Sequence, residues 1–339
     1  MRLPRIAVSL GDPSGIGPEI TAAALALPKV RRALVPVVFG DERAWKRACR
    51  IAQVPDRLER RALASAATGP ALVPVTTLRE KDLQPGKPTA AGGRAQLAFF
   101  ERALDAVLEG QADGLCTAPV SKEGIAKAGI PFTGHTEVLA ERFGARVLML
   151  LAGPKLRVAV HTTHVALSEV PRRISTKGIV EDLVLFDRGL KAGLGIAHPR
   201  LAVCGLNPHA GDGGLFGDEE SRLIAPAIRR ARAKGIDASG PWAADGVIGR
   251  AAAGAFDGVL AMFHDQGLVA FKLLHFDEGV NLTLGLPRPR TSPDHGVAYD
   301  LAGTGRANPA SMTAALLLCA RLASQVPQAA RGVRLASRK

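Results

Sequence analysis

Apolar and polar positions alternate along this chain with two periods, and the switching between them predicts its elements. Arg5 to Leu10 is a short apolar run ending at a glycine, the pattern of a buried strand, and Pro18 to Leu27 repeats at helical spacing with proline in its first turn. Ala33 to Phe39 predicts a second strand, after which Asp41 caps a helix running to about Val54. Leu72 to Val75 predicts a strand, Gly93 to Glu109 an amphipathic helix with Leu97, Phe100, Leu104 and Val107 on its apolar face, and Gly114 to Ala118 a strand that leads to Ser121 as an N-cap. In the middle, Arg146 to Leu151 and Leu156 to His161 flank the Gly153-Pro154 turn, which predicts an antiparallel hairpin at a sheet edge. Lys177 to Leu194 and Glu219 to Lys234 read as helices and Leu201 to Leu206 as a strand. Asp257 to Phe263 is expected to be the last buried strand, and the apolar stretch Asn308 to Ser324 the last helix. Strands alternating with helices predict an α/β fold with a mixed, largely parallel sheet in two interlocked lobes, with ligands in the cleft.

Composition narrows the function classes. The chain has 339 residues, 47% hydrophobic and 22% charged, enough to bury a sizeable core. A formal charge of +13 invites a nucleic-acid partner, but the arginines are scattered over helix faces and only 4% of residues are aromatic, which leaves no base-stacking platform. The expectation is no nucleic acid and no membrane, since no apolar run is long enough to span a bilayer. Cys49, Cys116, Cys204 and Cys319 form no Cys-x-x-Cys pair and read as reduced thiols of a cytoplasmic protein.

Candidate chemistry gathers at strand ends. His164, His209 and His264 each follow an apolar run, and three neutral imidazoles suit zinc or a similar divalent ion if they converge, although each alone reads as a structural histidine. Asp265, adjacent to His264, and Asp245 are candidate proton-transfer carboxylates. His161 reads as packing. Asn207 to Gly214 is a glycine-rich turn before a helix opening at Asp218, where backbone N–H groups can approach an anion. Gly134-His135-Thr136-Glu137 places an imidazole and a hydroxyl at a helix start, Arg290 suits a bidentate anion contact and Lys272 a point-charge one. These residues suit a metal-assisted enzyme acting on a phosphorylated or carboxylated small molecule. A metal-dependent hydrolase would use the same histidines.

Several motifs in fixed order carry a resemblance: Gly11-Asp12-Pro13-Ser14-Gly15-Ile16-Gly17-Pro18-Glu19, Gly134 to Glu137, Thr162-Thr163-His164, Asn207 to Gly211, His264-Asp265-Gln266-Gly267 and Arg290 to Gly296. Over nearly its whole length the chain resembles the 4-hydroxythreonine-4-phosphate dehydrogenase family. The resemblance implies the fold of isocitrate and isopropylmalate dehydrogenases, with residues 1–130 and 272–339 as a dinucleotide-binding lobe and 131–271 as a metal- and substrate-binding, dimerisation lobe. It implies NAD(P)-dependent oxidation of 4-phosphooxy-L-threonine to 2-amino-3-oxo-4-phosphooxybutanoate, then decarboxylation to 3-amino-2-oxopropyl phosphate, in pyridoxal 5'-phosphate biosynthesis. Close relatives act instead on D-threonate or D-erythronate 4-phosphate in sugar-acid catabolism. Carried over, His164, His209 and His264 hold one divalent ion per site (Zn, Mg or Co). His135, Thr136, Lys272, Asn281 and Arg290 bind the small phosphorylated substrate, and His295, Gly296, Asp300, Gly303 and Asn308 bind the NAD or NADP. The family resemblance also implies a homodimer with its active site at the subunit interface. One departure stands out: the family's Gly-Pro-x-Pro-Ala-Asp-Thr run is here Gly240-Pro241-Trp242-Ala243-Ala244-Asp245-Gly246.

Overall fold

The strands, in chain order, are β1 (Arg5–Ser9), β2 (Val35–Asp41), β3 (Glu59–Arg60), β4 (Ala71–Thr76), β5 (Gly114–Thr117), β6 (Leu148–Ala152), β7 (Arg157–Thr162), β8 (Leu201–Cys204), β9 (Ala238–Trp242), β10 (Gly258–Phe263), β11 (Val280–Leu284) and β12 (Arg290–Pro293). They come from a computed structural model that describes residues 2–62, 69–327 and 334–335. The remainder of the expected 1–130 and 272–339 segments lies outside the described residues. The chain divides into two compact units, Met1–Ala145 with Leu286–Lys339, and Arg146–Gly285.

In the first unit the strand order is β3-β4-β2-β1-β5-β12, every neighbouring pair parallel. Parallel neighbours need crossovers, and the predicted helices supply them. Asp41 caps the helix Glu42–Ile51 as its sequence position implies, accepting from the N–H of Arg43 and Ala44 at 2.9 and 3.1 Å. Its other carboxylate oxygen accepts the N–H of Leu78 at 2.7 Å, so one buried side chain ties a helix start to the end of β4. Ser121 caps the helix Lys122–Lys127 in the same way. The core under the helix Ala90–Leu108 packs Phe100, Leu104 and Val107 against Val37, Phe39 and Leu115. Full burial of such side chains contributes about 1.5–3 kcal/mol each.

In the second unit the order is β11-β6-β7-β10-β8-β9. β7, β10, β8 and β9 run parallel, while β6 is antiparallel to both β7 and β11. Two expectations are corrected here. The hairpin β6–β7 forms, but not at an edge: β11 pairs along the free side of β6, Asn281 opposite Leu151. The continuous apolar run of β6, buried from Leu148 through Leu151, fits such an interior position. Nor is β10 the last strand, because β11 and β12 follow it; both are short and interrupted by polar residues, which hides them in the sequence. All four cysteines are buried free thiols, as expected. Among the described residues no helix is long and apolar enough to cross a membrane.

Candidate active site

Three adjacent parallel strands, β7, β10 and β8, bring their C-terminal ends to one margin of the second unit. Parallel neighbours lie about 4.8 Å apart, so groups just beyond their ends are held close by the sheet itself. His164 sits two residues past β7, His264 opens the helix His264–His275 directly after β10, and His209 lies on the loop after β8. The His164 and His264 rings are 5.8 Å apart between centroids. They line a cavity of about 350 Å³ with Thr163, Phe263 and Asp265. The Nδ1–H of His264 donates to the Asp265 carboxylate at 2.7 Å, which leaves the Nε2 lone pair for another partner.

His209 lies in a neighbouring cavity of about 570 Å³ with Asn207, Asp245 and Gln266, and the two cavities share Leu167, Val170 and Phe263. Among the described residues no group of three His, Cys, Asp or Glu side chains gathers to hold a metal ion. One chain therefore pairs two of the three expected imidazoles and keeps the third next door. Their donor chemistry suits a divalent ion, since imidazole nitrogens are its common ligands and His264 is already oriented from behind.

Two residues that hold this margin were given no role in the sequence. The Gln266 Nε2 donates to the Gly205 carbonyl at 2.8 Å and its Oε1 accepts the Met262 N–H at 2.7 Å, lacing β10 to the end of β8. Its position directly after His264-Asp265 was the available signal. Asp182 accepts from His161 Nδ1 at 2.5 Å and from Arg146 at 2.7 Å, so His161 is a packing histidine, as expected. Asp245, one residue into the helix Ala244–Ala252, is exposed beside the second cavity.

The first unit holds a second cluster. Arg290 opens β12, is 3% exposed, and donates to Thr117 Oγ1 at 2.7 Å and to His135 Nδ1 at 3.1 Å. Burial pushes the guanidinium down to about 10, which still leaves it charged at neutral pH. Burial also holds His135 well below its ordinary 6.5, with the charges of Arg290 and Lys122 adding to the effect. Because Nδ1 accepts from arginine, the proton of the neutral ring sits on Nε2, a buried atom with no partner among the described residues. Phe100 and Phe132 flank the ring at 4.5 and 5.8 Å between centroids. Gly134 precedes the helix His135–Phe143 at φ 154°, a backbone conformation that residues with a Cβ rarely adopt, so glycine suits the position. Thr136 lies in that helix's first turn, where N–H groups lack helical partners. Lys272 and Asn281 belong to the other unit: Lys272 is exposed, and the Asn281 Oδ1 is buried with no partner among the described residues.

His135 gives a pH prediction. Its depressed folded value means that below about pH 6.5 the unfolded chain takes up a proton that the fold refuses. The stability is fully present above that pH and falls, by up to about 1.4 kcal/mol per pH unit, as the solution is acidified. Thermal melting of His135→Asn should show a shallower acid slope than wild type; identical slopes would remove His135 as the cause.

The expected dinucleotide segment packs on the first glycine loop. Ile16 N–H donates to the Val297 carbonyl at 2.9 Å, Tyr299 to Asp12 at 2.6 Å, and Gly303 N–H to Glu19 at 2.7 Å. His295 Nδ1 donates to its neighbour's carbonyl, Gly296, Asp300 and Gly303 are exposed, and Asn308 Oδ1 accepts the N–H of Ala310, the first residue of the last helix, at 3.0 Å.

Comparison with known proteins adds what one chain's geometry leaves open. Residues 32–319 match the family model described as pyridoxal phosphate biosynthetic protein PdxA. A relative from Geobacter metallireducens described as 4-hydroxythreonine-4-phosphate dehydrogenase is 49% identical, covering 94% of this chain and 96% of its own. A relative from Symbiobacterium thermophilum, provisionally described as D-threonate 4-phosphate dehydrogenase, is 40% identical over 95% of this chain and 97% of its own. The crystal structure of 4-hydroxythreonine-4-phosphate dehydrogenase from Klebsiella pneumoniae superposes with a TM-score of 0.78 at 39% identity, covering 95% of this chain and 98% of the other. With a match of that extent at both levels, the chain belongs to the PdxA family of pyridoxal phosphate biosynthetic proteins.

Proposed function

We propose that this chain is a nicotinamide-dependent oxidoreductase that oxidises the secondary alcohol of 4-phosphooxy-L-threonine to 2-amino-3-oxo-4-phosphooxybutanoate. The product, a β-keto acid, loses carbon dioxide to give 3-amino-2-oxopropyl phosphate, a step on the way to pyridoxal 5'-phosphate. The observation that carries the reading is the Arg290–His135 pair: a buried guanidinium with the N–H of a half-buried, neutral imidazole beside it is a donor set for a phosphate or carboxylate.

Each group then has a role. Arg290, His135, Thr136, Lys272 and Asn281 hold the substrate's anionic ends, which fixes the carbinol for hydride loss. His164, His209 and His264 would hold a divalent ion, zinc, magnesium or cobalt, whose charge favours the alkoxide form of the alcohol. Asp265 keeps the His264 ring oriented, and either it or Asp245 passes the alcohol proton towards solvent. NAD or NADP supplies the hydride acceptor, with His295, Gly296, Asp300, Gly303 and Asn308 as the residues for its adenosine half. Residues 1–130 with 272–339 would be the dinucleotide lobe and 131–271 the metal, substrate and dimerisation lobe.

A second copy of the chain completes the reading. Val269, Leu273 and Phe276 are 69%, 85% and 74% exposed at i, i+4 and i+7 of one helix face, and Leu215 and Phe216 are exposed as well. An apolar stripe of that kind on the element that opens with His264 suits a homodimer with the site at its interface. The buried free thiols suit the cytoplasm.

The 40% identity to the Symbiobacterium thermophilum relative favours a second reading, D-threonate or D-erythronate 4-phosphate as substrate. Reduced-nicotinamide absorbance followed across all three phosphates, with divalent metal present, separates the two. The highest kcat/KM is expected for 4-phosphooxy-L-threonine. Preference for a sugar-acid phosphate would reassign the substrate, and no reduction with any of them would overturn the oxidoreductase reading.

A further inference from the structure

The loop that carries His209 is the least relaxed stretch of backbone beside the second cavity. His209, Ala210 and Asp212 take φ of 51°, 55° and 42°, with Gly211 and Gly213 at 82° and 68° between and after them. The left-handed region is unfavourable for a residue with a Cβ, so three such residues in one turn persist only where the surroundings enforce them. A single side chain, Glu220, holds the two residues that lead into this turn. It is 5% exposed and opens the helical segment Glu220–Ile224 that continues as Ala225–Arg232. One carboxylate oxygen accepts the N–H of Leu206 at 2.7 Å and of Asn207 at 2.8 Å, and the other accepts from Asn207 Nδ2 at 3.0 Å. The same Nδ2 donates to Glu219 at 2.8 Å. The fit around the clamp is close: a Cβ on Gly205 would stand 2.8 Å from the Ala210 Cα, and one on Gly211 2.8 Å from the Glu220 carboxylate.

We propose that Glu220 is the positioning residue of His209: by taking both backbone N–H groups at the head of the loop and its asparagine side chain, it locks the left-handed turn that presents the imidazole to its cavity. The carboxylate touches neither substrate nor cofactor in this role. It acts through Asn207 and the backbone, giving partners to two N–H groups that no strand or helix pairs. The proposal rests on the reading of His209 as a metal ligand, and the test keeps the two apart.

The metal-stripped full-length chain is titrated with cobalt(II), read by its visible absorption and by calorimetry, while hydrogen exchange of the 205–216 segment and thermal melting are followed. Wild type, His209→Ala, Glu220→Ala and Glu220→Gln are compared. Glu220→Ala is expected to weaken cobalt binding about tenfold to a hundredfold and to speed exchange in 205–216, the range seen when the group orienting a metal ligand is lost. Glu220→Gln, whose carbonyl oxygen still accepts from both backbone N–H groups, is expected to restore affinity and protection close to wild type. Wild-type affinity and protection in Glu220→Ala, alongside weakened binding in His209→Ala, would overturn the positioning role and leave the metal reading standing. Undiminished binding in His209→Ala would overturn the metal reading and the proposal with it. Should Glu220→Ala not fold, Asn207→Ala, which removes only the side-chain arm of the clamp, is expected to shift affinity and exchange in the same directions, and no shift in either would overturn the proposal.

Discussion

His264→Ala will lower kcat by on the order of a thousandfold, about 4 kcal/mol of barrier, with thermal melting close to wild type. The kinetic loss follows from position. The ring stands 5.8 Å from that of His164 between centroids, at the ends of adjacent parallel strands, with its Nδ1 committed to Asp265. In its proposed role His264 has no substitute within the chain, because among the described residues no group of three His, Cys, Asp or Glu side chains gathers to hold a metal ion. The small effect on stability follows from exposure: the side chain is 36% exposed, so its deletion leaves little cavity. Steady-state rates with added divalent metal, measured beside melting curves, check both halves. Near-normal turnover of His264→Ala, or of wild type in metal-stripped buffer, would remove the histidines from the chemistry.

Arg290→Ala should act on binding instead, raising KM for phosphorylated substrate by an amount equivalent to about 2–4 kcal/mol. The guanidinium is buried, so the dielectric around it is low and its attraction for an incoming anion is large compared with that of the exposed Lys272. The variant also strips the donor from His135 Nδ1, freeing the ring to exchange tautomers and withdraw its Nε2 proton from the site. Arg290→Lys is expected to fall between, since an ammonium keeps the charge but loses the planar fork that reaches Thr117 and His135 together. An unchanged KM in Arg290→Ala, with unphosphorylated analogue used no better or worse than before, would take Arg290 out of the binding site.

Much of the site was visible as strand-end chemistry. His164, His209 and His264 each follow an apolar run, and all three do lie beyond the C-terminal ends of β7, β8 and β10. Their neighbours in space were not visible. β10 follows β8 in the chain yet inserts between β7 and β8, which is why His264 meets His164 while His209 occupies the next cavity. The expected hairpin forms, but its edge placement was wrong for the same reason, since β11 returns from far along the chain to pair with β6. Asp182 and Glu220 escaped notice, and Gln266 stood in a motif without a role, because a polar residue that ties two elements together looks like any surface one until its partners are known; Glu220 and Glu219 read simply as the charged start of a helix.

Local order, then, was largely the chain's own to determine: most of the runs that become strand or helix, that Asp41 and Ser121 cap their helices, and that polar residues collect where strands stop. Those features depend on side-chain period and on hydrogen bonds a few residues long. Strand order, the low proton affinity of His135, the buried charge of Arg290 and the left-handed turn at His209 came only with the tertiary structure. Each arises from desolvation or contact between residues tens to hundreds of positions apart, and no local pattern encodes which distant segments exclude water from a given side chain.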